Sequence, residues 1–165
     1  MLVEMKVFGL AVDERTQSPI LILKDKEEKR VLPIWIGAME AMAISISLNK
    51  ISISRPLTHD LLLNILHTLG YKIDRVVVID LRDGTYYAEI YLQGKDQTYL
   101  IDSRPSDAIA LAIRANAAIF ANEDLLEEID KKFVEKQEPV IKDKEAEKWT
   151  EILKQFDEED FKYKM

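Results

Sequence analysis

Two short segments of this chain gather the side chains best suited to chemistry. The first is Arg55-Pro56-Leu57-Thr58-His59-Asp60 and the second is Asp102-Ser103-Arg104-Pro105-Ser106-Asp107. Each lies between a predicted strand and the start of a predicted helix. Each sets an arginine, a hydroxyl and an acid around a helix N-terminus, where free backbone amides favour anions. Together they offer His59, Asp60, Asp102 and Asp107 as catalytic candidates, with His59 as the general base. Asp60, Asp102 and Asp107 are the carboxylates available to a divalent cation. Arg55 or Arg104 suits a phosphate, with Ser103 and Ser106 as further substrate contacts. These residues are expected to converge, because strand-to-helix junctions of one compact body place side chains at the end of a sheet. A plainer account stands beside this one. Ser and Thr before a helix cap it, first-turn Asp complements the helix dipole, and Arg-Pro followed by Asp fixes a loop by a local ion pair.

The chain has no cysteine and two histidines, His59 and His67. Disulfides, thiolate metal sites, cysteine nucleophiles and His-rich metal clusters are therefore excluded. Any metal must be held by carboxylates, which favours Mg or Mn over Zn. No G-x-G-x-x-G, GK[ST], G-x-S-x-G or HExxH pattern is present, and five glycines are few for a phosphate-cradling loop.

The elements that must position these residues follow from periodicity and turn chemistry. Strands are predicted at Lys6–Val12, Pro19–Lys24 and Arg30–Ile36, followed by a helix at Ala38–Asn49, a short strand at Ile51–Ser54 and a helix from Thr58, its cap, to Gly70. Then come strands at Ile73–Leu81, Tyr86–Leu92 and Gln97–Ile101, a helix at Ser106–Asn116, a strand at Ala118–Ala121 and a helix at Glu123–Lys132. Asp83-Gly84 marks a type I′ hairpin, whose two central residues both need positive φ. A final charged helix is predicted at Asp143–Phe156, with Trp149, Ile152, Leu153 and Phe156 on one side. Trp35 is expected in the core.

Residues 3–69 and 70–136 thus repeat a β-β-β-α-β-α unit. A shift of 67 residues lays Glu40–Ile46 on Asp107–Ile113, both an acid followed by alternating alanine and larger apolar residues. The expected fold is α+β with mixed sheets and an internal duplication over residues 1–136. A C-terminal helical extension, 137–165, follows. The two repeated helices are apolar nearly all round and are expected at the centre, covered by sheets or a second subunit. A homo-oligomer, at least a dimer, is expected.

The net charge of −7 is uneven. Residues 1–121 carry 15 acidic and 14 basic side chains, whereas 122–165 carry 15 and 9. The body is close to neutral, unlike the basic footprint of an avid nucleic-acid binder. Apolar stretches break well before the roughly 18 residues of a membrane span. The N-terminus, with acid at Glu4, is not expected to be a signal peptide, and the expected location is the cytoplasm. Abundant Glu and Lys without Cys resemble a thermophile's composition.

Four motifs in order carry a resemblance. They are Leu32-Pro33-Ile34-Trp35-Ile36-Gly37 with Glu40-Ala41, then Arg55-Pro56 with Thr58-His59-Asp60-Leu61, then Asp83-Gly84-Thr85-Tyr86-Tyr87-Ala88, and Asp102 through Ala112. Over about residues 1–135 the chain resembles the bifunctional nuclease (BFN) domain family. The resemblance implies a mixed α/β fold and a nuclease acting on DNA and RNA, without settled catalytic residues. Two functions are therefore carried forward. One is a nuclease with Mg or Mn held by carboxylates. The alternative is a non-catalytic oligomeric binding or regulatory domain whose motifs build the fold.

Overall fold

The computed structural model describes residues 1–136. The chain runs β1 (Leu2–Val12), β2 (Pro19–Asp25), β3 (Val31–Trp35), α1 (Ala38–Leu48), α2 (Thr58–Thr68), β4 (Lys72–Arg82), β5 (Thr85–Gln93), β6 (Thr98–Ser103), α3 (Pro105–Ala115), β7 (Ala118–Asn122) and α4 (Glu123–Lys136). The expected final helix at 143–156 lies outside the described residues.

The strands form one seven-stranded mixed sheet in the order β3-β2-β1-β7-β4-β5-β6. The β4-β7 pair is parallel and the other pairs are antiparallel. The fold is α+β, as expected. The two halves share an order of three strands, then helices, and differ at one place. Residues 51–54 form no strand, although the sequence predicts one. The reason is topological. The corresponding strand of the second half, β7, lies beside β4 and also beside β1. The neighbours of β1 are therefore β2 and β7, and no slot remains for 51–54.

The sheet curls strongly. The Tyr86 hydroxyl of β5 donates to the Pro33 carbonyl of β3 at 2.9 Å, yet the two strands are five steps apart. On a flat sheet that separation would be about 24 Å. Burial pushes the Tyr86 phenol up to about 12. Inside the curl lies α3, with Ala108 through Ala112 all buried. Its alanines let the sheet and α1 approach closely. Among these, Ile109 and Leu111 fill the core beside Val76, Val78 and Ile90. The expectation of a central helix holds for α3. For α1 it holds on one side only, where Ala41, Ile44, Ser45 and Ile46 are buried, while Met39 is 71% exposed.

Local chemistry fixes the junctions. Asp83 and Gly84 both take positive φ, +50° and +76°, as the type I′ turn demands. Three helices end in the same Schellman arrangement, with paired amide-to-carbonyl bonds reaching back into the last turn. The left-handed residue is Gly70 after α2, Asn116 after α3 and Lys50 after α1. Gly and Asn suit that conformation, but lysine there costs about 1 kcal/mol. Trp35 departs from expectation. It is half exposed, and its indole Nε1 donates to Asp13 at 3.0 Å, at the last residue of the edge strand β3. Thr58 also departs: the capping position is Leu57, and the side chain that binds it is that of Asp60.

Candidate functional site

An acid occupies the third position of each of α1, α2 and α3: Glu40, Asp60 and Asp107. That position places a carboxylate near the unpaired amides of the first turn, where the helix dipole favours it. Asp60 uses the position to cap its own helix, accepting from the Leu57 amide at 2.9 Å. Glu40 and Asp107 serve a different purpose. Arg104, immediately before α3, donates from Nε to Asp107 Oδ2 at 2.8 Å and from Nη1 to Glu40 Oε1 at 3.1 Å. His59 Nε2 meets the other Asp107 oxygen at 2.9 Å. Three helix starts are thereby tied in one chain, Glu40–Arg104–Asp107–His59.

Burial alone would push the Asp107 carboxyl up, but the hydrogen bonds from Arg104 and His59 outweigh it and hold the group below its ordinary 3.8. Its stabilising contribution is therefore fully present above that value and lost as pH falls through the lowered one. Because an ionised carboxylate only accepts, His59 Nε2 carries the hydrogen, and in the neutral ring Nδ1 is the acceptor. Nδ1 has no protein partner among the described residues. The same neighbours hold the Arg104 guanidinium above its usual range, Asp107 first and Glu40 second. Arg104 is committed through Nε and Nη1, which leaves Nη2 for a ligand.

This chain of groups borders a groove of about 870 Å³. His59, Asp102, Ser103, Arg104 and Asp107 lie along it, with Met39, Leu62, Ile90 and Ile101 as apolar wall. The other sequence candidates sit elsewhere. Asp60 stands behind the groove, bonded to Arg114. Arg55 lines a neighbouring cavity of about 470 Å³. Ser106 is buried and borders a third cavity beside Trp35 and Tyr86. The Ser103 hydroxyl turns back to the carbonyl of Arg104 at 2.9 Å.

Asp102 is nearer the groove than its side chain. It belongs to β6 rather than to a loop, paired with Glu89, while Ile101 pairs with Ile90. Paired residues share a sheet face and neighbours alternate. Ile90 is buried in the core, so Ile101 faces the groove and the Asp102 side chain emerges on the opposite face with Glu89. The carboxylates proposed for a metal therefore do not meet. Asp60 and Asp107 each use both oxygens on protein donors, and Asp102 points away. Among the described residues no group of three or more His, Asp or Glu is placed to hold a metal ion. The donor set does not fit a resident Mg or Mn.

The sequence reading missed Arg114. Its side chain is only 6% exposed. It donates to Asp60 at 2.9 Å from Nε, to the Ala43 carbonyl at 2.9 Å and to the Ala110 carbonyl at 3.0 Å. One guanidinium thus joins α1, α2 and α3 beneath the groove. The signal was the lone basic residue seven positions after Asp107 on an otherwise apolar helix.

Residues 21–133 match the family profile of the bifunctional nuclease domain. An uncharacterized protein of Mycobacterium tuberculosis is 34% identical over 163 residues, 96% of this chain and 98% of that protein. Bifunctional nuclease 2 of Arabidopsis thaliana is 28% identical over 111 residues, 66% of this chain and 34% of the plant protein. Bifunctional nuclease 1 of Oryza sativa subsp. indica is 25% identical over 113 residues, 67% of this chain and 34% of its own length.

Proposed function

Because the chain belongs to the bifunctional nuclease domain family, we propose that it hydrolyses phosphodiester bonds of DNA or RNA in the groove bordered by His59, Arg104 and Asp107. The observation that carries this reading is the His59–Asp107–Arg104 chain. A base is oriented by a carboxylate, and beside it stands an arginine with one free nitrogen. In this reading Arg104 Nη2 holds a non-bridging phosphate oxygen. Asp107 fixes the imidazole, and His59 Nδ1 takes the proton of an attacking water. The new P–O bond forms as the bond to the leaving oxygen breaks. Solvent supplies the proton to that oxygen, and the ring returns its own proton to solvent. The apolar wall of Leu62, Ile90 and Ile101 excludes bulk water from one side. The groove thus plays the part the sequence assigned to a wider set of residues.

The test is incubation of the purified protein with single- and double-stranded DNA and RNA, with and without EDTA. Cleavage that survives chelation is expected, since the carboxylates are spent on protein donors. No cleavage of any substrate under either condition overturns the reading and leaves the binding or regulatory alternative.

We also propose that the working unit is at least a homodimer. Leu61, Ile65 and Leu69 leave an apolar stripe on α2 exposed, and β6 is a sheet edge with Leu100 uncovered. The six β5–β6 pairs run without a bulge. Neither lysine nor proline occurs in β6, the usual protections of an open edge. A second copy suits both surfaces. Light scattering should give about twice the 19.1 kDa chain mass, and a monomer at micromolar concentration would refute it.

A further inference from the structure

Next to the groove lies the cavity of about 470 Å³, walled by residues 46–56 between α1 and α2. Ile46 borders both cavities, and Asp60, at the edge of this one, is bonded to Arg114 in the wall of the other. The donor chemistry of this second cavity is distinct. Its lining includes the hydroxyls of Ser47, Ser52 and Ser54 and the cations Lys50 and Arg55. Among the described residues, none of these five side chains has a hydrogen-bond or ion-pair partner. The carboxylate in the lining is Asp60, and both its oxygens are already taken by Arg114 and the Leu57 amide. The last α1 carbonyls, which would attract cations, are occupied by the amides of Asn49, Lys50 and Ile51. What remains is two positive charges and three hydroxyl donors facing one space.

Lys50 adds an independent observation. It takes the left-handed exit of α1 that Gly70 and Asn116 take after α2 and α3. A lysine at that position strains the backbone, whereas glycine would relax it. Glycine would make the same helix-ending backbone bonds without that strain, and the lysine side chain itself makes no hydrogen bond or ion pair among the described residues.

We propose that Ser52, Ser54, Arg55 and Lys50 form a second phosphate subsite, holding a backbone phosphate of the same nucleic-acid strand whose scissile phosphate lies in the groove. The proposal rests on the nuclease reading and extends it to substrate length. The subsite serves strands long enough to span both cavities, and it gives a body of nearly neutral charge two neighbouring cations, Lys50 and Arg55, that no carboxylate among the described residues neutralises.

The test is fluorescence anisotropy of a labelled single-stranded oligonucleotide of about eight nucleotides, titrated with the parent and with a Lys50→Gly/Arg55→Ala variant across a range of salt. The glycine relieves the left-handed strain, so an unchanged or raised melting temperature certifies the fold. The expected result is at least tenfold weaker binding. The plot of log K against log salt should be shallower by about 1.4, for two lost phosphate contacts on a single strand. Equal affinity and equal slope for parent and variant would overturn the subsite. Weaker binding by the variant, with no cleavage by the parent, would uphold the subsite and overturn the nuclease reading. No binding by the parent would overturn both.

Discussion

Replacing His59 by glutamine is expected to lower phosphodiester cleavage by about 10²–10⁴-fold, the usual range for loss of a positioned general base. Glutamine is close to imidazole in reach and can still donate an N–H to Asp107, so the Glu40–Arg104–Asp107 chain stays in place. It cannot take a proton near neutral pH. The loss should therefore appear in kcat with KM little changed, because Arg104, the phosphate contact, is untouched. Melting should move by only a few degrees. A variant that retains full activity would remove His59 from the chemistry. A variant that loses activity together with a large part of its stability would make His59 a structural cap rather than a base. Steady-state cleavage and thermal melting, measured on the same preparation, separate these outcomes.

Replacing Arg114 by methionine should be the most destabilising polar change in the described structure, costing about 3–5 kcal/mol. Methionine keeps much of the length of the stem, so the change removes mainly the guanidinium. Asp60 then loses the charge that balances it, and the buried carbonyls of Ala43 and Ala110 lose a donor. For a domain of this size each kcal/mol is worth roughly 2–4 °C or somewhat more, so a fall of about 10 °C or greater is expected. Double replacement with Asp60→Asn should recover only part of the loss, since the Asp60 side chain is 38% exposed and water solvates its charge, while Ala43 and Ala110 still lack their donor. Chemical denaturation of the two variants checks this. If Arg114→Met alone melts within about 2 °C of the parent, the guanidinium is not the tie between the three helices.

Both effects arise from the same architecture. Arg114 holds α1, α2 and α3 together below the groove, and Arg104 with Asp107 holds their N-termini together at its rim. Damage at the lower tie reaches the rim through the helices, so Arg114→Met should weaken activity as a consequence of stability. His59→Gln should weaken activity alone.

The sequence by itself determined the elements and the neighbourhood. Alternation in Tyr86–Leu92 separated the buried Ala88, Ile90 and Leu92 from the outward Tyr87, Glu89 and Tyr91, because side chains of a strand alternate whatever it pairs with. Asp83-Gly84 specified its hairpin, because few residue pairs accept two positive φ values. The Arg-Pro and Asp-Ser-Arg-Pro junctions marked where polar groups gather, because helix starts demand partners. These are local consequences of backbone geometry, and they survive any tertiary arrangement. Only the tertiary structure decided which gathered groups face one another. Ile51–Ser54 has a strand's composition but no strand, because β7 occupies the place beside β1. Asp102 reads as a partner of Asp107, but the register of β6 against β5 turns it to the other face. Arg55 and Asp60 share a segment with His59, yet one opens onto the next cavity and the other is consumed by Arg114. Pairing partners, sheet faces and the burial of Arg114 are relations between residues distant in sequence. No periodicity or local motif encodes them, and the curl of the sheet around α3 sets them all at once.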